Sequence, residues 1–229
     1  MIADEGTLSK CLFDQSWKHL YSLAPSPLPS PPMPTVPILT NKAVALTIER
    51  LCHELIEDHG DLDGVALVGL QPRGVQLARR LRKELVRILG DEKLKYGELD
   101  ITFHRDDFRQ RTTSVAPSAT DLDFSLEGRT VVLVDDVLYT GRTIRAGLDA
   151  LLAFGRPEKV KLLVLIDRRF SRELPIQPDH VGKWVDSIAN ERVTVEWAGT
   201  DGQDRVLLHT DQVDARSSDD VAHGTSNDR

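Results

Sequence analysis

The stretch Thr130-Val-Val-Leu-Val-Asp-Asp-Val-Leu-Tyr-Thr-Gly-Arg-Thr143 decides the fold class of this chain. Its apolar run, Val131 to Val134, is typical of a central parallel strand that is covered on both faces. Asp135 and Asp136 come at the end of that run, where open α/β sheets bind their ligands. Carboxylates at this edge can accept hydrogen bonds from the two neighbouring hydroxyls of a ribose. The sequence therefore predicts a sugar site after the strand.

The second half of the same stretch, Thr140 to Thr143, predicts the start of a helix. The first N–H groups of a helix lack partners within it, so together with the helix dipole they can hold a phosphate. Gly141 permits close approach, and the two threonine hydroxyls can donate. A diol site and a phosphate site in one loop indicate ribose 5-phosphate. Each half alone has another interpretation, since paired aspartates also occur in metal-dependent phosphotransfer domains and a Thr-Gly-x-Thr turn is often only a helix cap.

A second loop, Gly69-Leu-Gln-Pro-Arg-Gly74, also lies between an apolar run and a helical pattern. It predicts another anion site formed by backbone N–H groups, although an ordinary glycine turn would read the same way. The long polar segment from Arg105 to Asp123 is typical of a loop that closes over substrate, or of a simple surface loop.

The remaining apolar patterns predict alternating strands and helices, which favours a mostly parallel sheet flanked by helices. Helices are expected over Asn41 to Asp58, around Ala78 to Ile88, and after the phosphate loop as far as Gly155-Arg-Pro157. Strands are expected at Val65 to Gly69, Leu99 to Phe103 and Leu162 to Ile166, with a hairpin of Val193 to Trp197 and Val206 to Leu208.

Both ends of the chain differ in composition from this centre. Seven of the twelve prolines fall between Ala24 and Pro37, which predicts a disordered or polyproline-like tether that forms neither helix nor sheet. We expect a disordered extension over residues 1–38, one domain over 39–210, and a disordered polar tail over 211–229. The first 23 residues lack the apolar core of a signal peptide, and we find no transmembrane run.

Charge and cysteine content narrow the class of protein. The net charge of −7 argues against nucleic-acid binding over the whole surface, although a local basic patch remains open. Cys11 and Cys52 suggest neither a disulfide framework nor a cysteine metal site, which fits a reducing cytoplasm.

Several ordered segments resemble the PyrR family of type I phosphoribosyltransferases. The resemblance covers about Asn41 to Leu208 and is carried by Leu99-Asp-Ile-Thr-Phe-His-Arg-Asp-Asp107, Val131 to Thr143, Gly155-Arg-Pro157, Arg172-Glu-Leu-Pro-Ile176 and Val181-Gly-Lys183. This family couples uracil phosphoribosyltransferase activity to RNA-based control of pyrimidine genes. The resemblance implies an α/β type I phosphoribosyltransferase fold, with a central mostly parallel sheet flanked by helices, a hood and a mobile loop.

The resemblance also implies a reaction and partners. N1 of uracil would displace magnesium-bound pyrophosphate from phosphoribosyl pyrophosphate (PRPP) and give UMP. Mg²⁺ would be held through the pyrophosphate of PRPP, without a dedicated metal site in the protein. The expected partners are PRPP, uracil, UMP and the leader RNA of a pyrimidine operon, and the protein would be a cytoplasmic homo-oligomer without membrane contact. A transferase for adenine, orotate or hypoxanthine, or an RNA-binding attenuation protein with little enzyme activity, stays open.

The site residues implied by the resemblance fall into four groups. The catalytic group is Asp135, Asp136 and Arg105, where Arg105 at the base of the hood would neutralise the departing pyrophosphate. PRPP would be bound by Arg73, Gly74, Val131, Val132, Leu133, Val134, Asp135, Asp136, Val137, Leu138, Tyr139, Thr140, Gly141, Arg142 and Thr143. Uracil would contact Arg168 and Val193, and RNA would contact Arg50, His53, Arg172 and Lys183.

The chain departs from the family pattern at several positions. Pro72 stands where the family usually has a hydroxyl residue, and Arg-Arg-Phe-Ser after Asp167 is one residue longer than the family's Arg-Gly-His. Glu49, Asp58 and Gln177 do not retain the donors or cations expected on the RNA face, which weakens the electrostatic contribution to RNA binding.

Overall fold

A computed structural model describes residues 34–90, 94–104, 119–187 and 191–210, which all belong to the compact unit Met33–Arg229. Three predictions lie outside these residues: the extension as far as residue 33, the polar tail over 211–229, and the closing loop over 105–118 together with the role of Arg105.

The described residues alternate between strands and helices, as the apolar patterns predict. In chain order the elements are β1 (Thr35–Leu39), α1 (Asn41–His59), β2 (Val65–Leu70), α2 (Gly74–Leu89), β3 (Lys95–Leu99), β4 (Thr130–Leu138), α3 (Arg142–Leu151), β5 (Lys159–Arg169), β6 (His180–Asp186), β7 (Glu191–Glu196), α4 (Ala198–Asp201) and β8 (Arg205–Thr210). Short 3₁₀ turns follow β3 and α3.

The described part of the chain forms a five-stranded parallel sheet in the order β3-β2-β4-β5-β6, so β4 lies at its centre. Alternate β4 side chains point to opposite faces. Val132 and Val134 pack with α1 and α2, whereas Val131 and Leu133 pack with α3. The predicted α/β fold with a parallel sheet flanked by helices is confirmed, and the continuous apolar run of β4 follows from burial on both faces.

A separate antiparallel sheet in the described residues has the order β1-β8-β7. The predicted hairpin is present, with Val193 opposite Leu208. The third strand, β1, corrects the prediction that the segment up to Pro37 forms neither helix nor sheet. Pro37 is tolerated because β1 is an edge strand, and its register shifts between Pro37 and Leu39.

Two further strand boundaries differ from the predictions. The strand expected over Leu99 to Phe103 ends at Leu99, since Asp100 Oδ1 accepts hydrogen bonds from the backbone N and the hydroxyl of Thr102, at 2.9 and 2.6 Å. These local bonds compete with the ladder and turn the chain into the 3₁₀ segment Thr102–His104. Conversely, β4 continues to Leu138, so Asp135 and Asp136 lie within the strand and do not follow it.

Candidate functional site

The two anion loops predicted from the sequence meet at the carboxyl edge of the parallel sheet. Strands β2 and β4 are neighbours, with Gly69 opposite Val134. A Cβ atom on Gly74, the first residue of α2, would lie 2.4 Å from the carbonyl oxygen of Val134 and 3.2 Å from Asp135 Oδ1. Glycine therefore allows the N-terminus of α2 to sit directly against the carboxylates of β4.

Asp135 and Asp136 form the floor of this site. Only 6% and 8% of their surface is exposed, less than expected for residues at the end of a strand. Asp135 Oδ1 accepts a hydrogen bond from the backbone N of Asp136 at 2.9 Å, and Asp136 Oδ1 accepts one from Val137 N at 2.8 Å. These bonds fix both carboxyl groups while leaving each with further acceptor capacity.

Burial raises the pKa of Asp136, and the positive charge of Arg73 opposes this effect. The two loops are therefore electrostatically linked, because Arg73 precedes α2 and Asp136 belongs to β4. Arg73 Nη1 also donates to the carbonyl oxygen of Val195 in β7 at 2.5 Å, which ties the loop to the antiparallel sheet. The Gln71–Pro72 peptide bond in the same loop is cis.

The loop between β4 and α3 adopts the turn that its glycine predicts. Gly141 has a φ of 92°, a conformation that favours glycine, and it caps the N-terminus of α3. The Thr140 hydroxyl accepts a hydrogen bond from Arg142 N at 3.4 Å. Thr140 and Thr143 are partly exposed, and Tyr139 and Arg142 are exposed. The turn thus keeps hydroxyl groups and a helix N-terminus within reach of an anion.

One side of this turn is packed against the segment that follows β5. The carbonyl oxygen of Thr140 accepts hydrogen bonds from Glu173 N and Leu174 N at 3.0 and 3.1 Å. Arg172 strengthens the attachment, because its guanidinium donates to the carboxylate of Asp167 and to the carbonyl oxygen of Tyr139. Its RNA-binding role stays a prediction, and the structure adds an internal contact that sequence spacing did not reveal.

Arg168, one of the two residues predicted to contact uracil, lies next to the same turn. It is buried, its guanidinium carbon lies 4.1 Å from the centroid of the Tyr139 ring, and burial lowers its pKa. Arg168 Nε donates to Ser187 Oγ and Nη2 to Glu191 O, each at 2.7 Å. Arg168 is therefore an internal residue, and its role in binding uracil stays a prediction. Val193 is half-buried in β7, where it packs against the core beneath α1 and α2.

The predicted RNA-binding residues other than Arg172 lie on α1 and β6. Arg50 Nη2 donates to the carbonyl oxygens of Val181 and Gly182 at 3.0 and 2.6 Å, so it joins these two elements. His53 and Lys183 are exposed. Arg50 and Arg172 both line a cavity of about 630 Å³.

Two aromatic residues that the sequence analysis missed line the same cavity. Phe170 and Trp184 are 84% and 58% exposed. Two exposed rings that line one cavity form an apolar surface suited to a partner, and nucleic-acid bases stack on rings of this kind. The signal available in the sequence was Trp184 itself, an aromatic residue in a segment for which no strand was predicted.

Comparisons with known proteins show which family the chain belongs to. The model of the phosphoribosyl transferase domain family matches residues 36–197. The protein named bifunctional protein PyrR from Desulfosudis oleivorans is 44% identical over 174 residues, which are 76% of this chain and 96% of that protein. The PyrR protein from Leifsonia xyli is 46% identical over 180 residues, covering 77% of this chain and 97% of the relative.

Solved structures resemble this fold at much lower identity. A hypoxanthine phosphoribosyltransferase from Staphylococcus aureus superposes with a TM-score of 0.56 at 19% identity, over 77% of this chain and 93% of that one. The enzyme of the same name from Trypanosoma cruzi gives 0.56 at 17% identity, over 76% and 95%. These likenesses support the fold alone.

The described helices include none that is both long and apolar enough to cross a membrane.

The match to the family model and the identity with relatives over most of their length confirm the resemblance drawn from the motifs. The chain belongs to the phosphoribosyltransferase family and, within it, to the bifunctional PyrR proteins.

Proposed function

We propose that this protein transfers the phosphoribosyl group of PRPP to uracil, giving UMP and pyrophosphate. The main support for the proposal is the close contact between the two anion loops. Gly74 of one loop lies against Asp135 of the other. The positive charge of Arg73 also acts on Asp136. Two helix N-termini and two carboxylates at one sheet edge suit a substrate with phosphate at both ends of a ribose.

In the proposed mechanism, N1 of uracil forms a bond to C1′ of the ribose and releases its proton, as the bond from C1′ to oxygen breaks and pyrophosphate leaves. Positive charge develops at C1′, and the buried carboxylates of Asp135 and Asp136 stabilise it while they bind the ribose hydroxyls. The turn from Thr140 to Thr143 holds the 5-phosphate, and Arg73 at the start of α2 donates to pyrophosphate. Arg168, with Val193, would bind the base.

Phosphoribosyltransferases generally use Mg²⁺ together with PRPP, and the donor set here fits an ion bound through the substrate. Among the described residues, three side chains are close enough to share an ion: Asp58, His59 and His180. This group does not include the carboxylates of β4. Mg²⁺ keeps several waters and takes ligands from phosphate oxygens, so Asp135 and Asp136 need not form a full cage. When bound, it would neutralise the charge of the departing pyrophosphate.

We place the protein in the cytoplasm as a homo-oligomer. Cys52 is a buried free thiol whose pKa is raised to about 12, mainly by burial, so it is unreactive, and the described residues contain no disulfide that needs an oxidising compartment. The domain proposed to carry the activity extends over residues 35–210, with β1 included.

A panel of bases tests the substrate. We expect pyrophosphate release from PRPP to be at least about 100-fold more efficient with uracil than with adenine, orotate or hypoxanthine, because a site that hydrogen-bonds one base leaves its polar groups unpaired with another. The measurement is kcat/KM for each base at saturating Mg²⁺. A preference for orotate or a purine would refute uracil as the substrate while leaving phosphoribosyl transfer intact.

We propose regulation of pyrimidine genes by RNA binding as the second function. The relatives are named bifunctional, and the cavity between α1 and β6 combines Arg50 and Arg172 with the exposed rings of Phe170 and Trp184. Arginine planes and aromatic rings are the groups on which unpaired RNA bases stack. With a net charge of −7, the chain depends on this local surface for affinity.

Replacing Trp184 with alanine is expected to weaken binding to the leader RNA of the protein's own pyrimidine operon by about tenfold, the loss of one stacked base. Filter binding with and without UMP, over a range of salt concentrations, measures the effect, and UMP is expected to tighten binding. Leu152→Ala is the matched control, since Leu152 is also an exposed apolar side chain and lies on the segment after α3. Equal, weak binding of the leader and of a scrambled RNA would remove the regulatory proposal.

A further inference from the structure

Two histidines and a carboxylate converge where the end of α1 meets the start of β6. Asp58 and His59 are the last residues of α1, and His180 is the first residue of β6. One potential ligand atom from each lies within 4.8 Å of the other two. Small side-chain rotations would bring these atoms to the separation of ligands around a single ion, since zinc–nitrogen and zinc–oxygen bonds are about 2.0–2.2 Å long.

The two imidazoles have buried nitrogens that the protein does not satisfy. His180 is 5% exposed, and its Nε2 and the Nε2 of His59 have no hydrogen-bond partner within the described structure. Asp58 Oδ2 is 3.3 Å from His180 Nε2, but the two are not aligned for a hydrogen bond. A buried nitrogen without a hydrogen-bond partner costs free energy. Each Nε2 therefore needs a further partner, whether it carries a proton or a lone pair.

Two charged side chains flank this arrangement, Glu54 and Lys161. Glu54 Oε2 lies 3.8 Å from Nδ1 of His180, on the opposite side of the ring from Nε2. This separation is longer than a hydrogen bond, but it places a carboxylate beside the ring nitrogen through which metal-binding histidines are usually oriented. Lys161 Nζ is 2.7 Å from Asp58 Oδ2, so an ion bound by this carboxylate has to displace the lysine or bind through the other carboxylate oxygen.

We propose that Asp58, His59 and His180 bind one divalent transition-metal ion, with Zn²⁺ as the best fit and water completing its coordination. Two imidazole nitrogens and one carboxylate oxygen suit Zn²⁺, Co²⁺ or Ni²⁺, whereas Mg²⁺ prefers oxygen ligands alone. Asp58 is one of the positions that lack the donor or cation expected on the family's RNA face. A role as metal ligand would explain why an aspartate stands there.

This site is separate from the proposed active site. His180 opens β6 opposite Leu163, near the amino end of the parallel sheet, whereas the phosphate loops follow the carboxyl ends of β2 and β4. The ion would join the last turn of α1 to an edge strand of the sheet. It would therefore act on the stability of this edge and take no part in phosphoribosyl transfer.

Calorimetric titration of the metal-free full-length protein with ZnCl₂ tests the proposal, with the visible absorption of bound Co²⁺ as a second measurement. We expect one Zn²⁺ to bind the wild type and raise its Tm, and Mg²⁺ in excess to leave this binding unchanged. Asp58→Asn and His180→Gln should each weaken the affinity by more than about tenfold, because each removes a direct ligand. His53→Gln should bind as the wild type does, since His53 is an exposed histidine of the same helix.

Asp58 is exposed, so Asp58→Asn keeps the test valid even if the His180 variant does not fold. The absence of Zn²⁺ binding by the wild type would overturn the proposal. So would an affinity in Asp58→Asn equal to that of the wild type, or displacement of Zn²⁺ by Mg²⁺. None of these results bears on uracil phosphoribosyl transfer, which is measured with Mg²⁺.

Discussion

Replacing Asp136 with asparagine is expected to lower kcat for uracil-dependent pyrophosphate release by about 100-fold or more, the usual effect of removing one electrostatic contact to the transition state. Asparagine has the same shape, and its side-chain oxygen can still accept the hydrogen bond from Val137 N that the carboxylate accepts at 2.8 Å. The change therefore removes the negative charge and keeps the local geometry.

A measurement of stability distinguishes loss of catalysis from loss of the fold in this variant. Burial raises the pKa of Asp136, so the folded protein holds a proton on this group more readily than the unfolded chain does. The ionised carboxylate thus costs stability at any pH above its unfolded pKa, and the cost disappears only as the pH falls and the group is protonated. Asp136→Asn should accordingly have a Tm at pH 7 equal to or above that of the wild type.

Steady-state kinetics and thermal unfolding of the same preparation check both parts. Asp149→Asn on α3 serves as the control, because Asp149 is exposed, and it should leave both quantities unchanged. An Asp136→Asn enzyme with wild-type kcat would contradict the assignment of the β4 carboxylates to the ribose.

Replacing Gly74 with alanine is expected to destabilise the fold by about 1–3 kcal/mol and to raise the KM for PRPP. The new Cβ would lie 2.4 Å from the Val134 carbonyl oxygen and 3.0 Å from Asp135 Cα, which are both backbone atoms of the central strand. Relief of this overlap requires α2 to move away from β4, and that movement separates the two anion loops.

Urea unfolding and the dependence of the rate on PRPP concentration measure the two effects. Gly199→Ala is the matched control, since a Cβ there would meet no atom within 4 Å. If Gly74→Ala proved as stable and as active as wild type, the close contact between the loops would not matter to function.

The parts of the fold that were predicted correctly are those encoded by local patterns. The uninterrupted apolar run of β4, the helical spacing in α1 and the glycine turns after β2 and β4 each carry their signal within a few residues. The meeting of the two anion loops was predictable for the same reason, because parallel strands bring the loops at their carboxyl ends together.

The missed features depend on contacts between distant residues. β6 is an edge strand whose Lys183 and Trp184 are exposed, so its sequence shows no regular alternation. The stacking of Arg168 on Tyr139 joins a residue of β5 to one in the turn after β4 and has no sequence signal. The depth of Asp135 and Asp136 was underestimated because a strand's end depends on its neighbours: β5 continues alongside β4 as far as Asp167, opposite Leu138.

Strand β1 has a practical consequence for how the protein is produced. It borders the small antiparallel sheet and covers one side of β8, with Val36 opposite Leu208. A recombinant version trimmed to begin at residue 39, as the proline content alone would suggest, would leave the backbone hydrogen-bonding groups along that side of β8 without a neighbour. Bare strand borders of this kind recruit other chains, so such a trimmed version would tend to self-associate and precipitate.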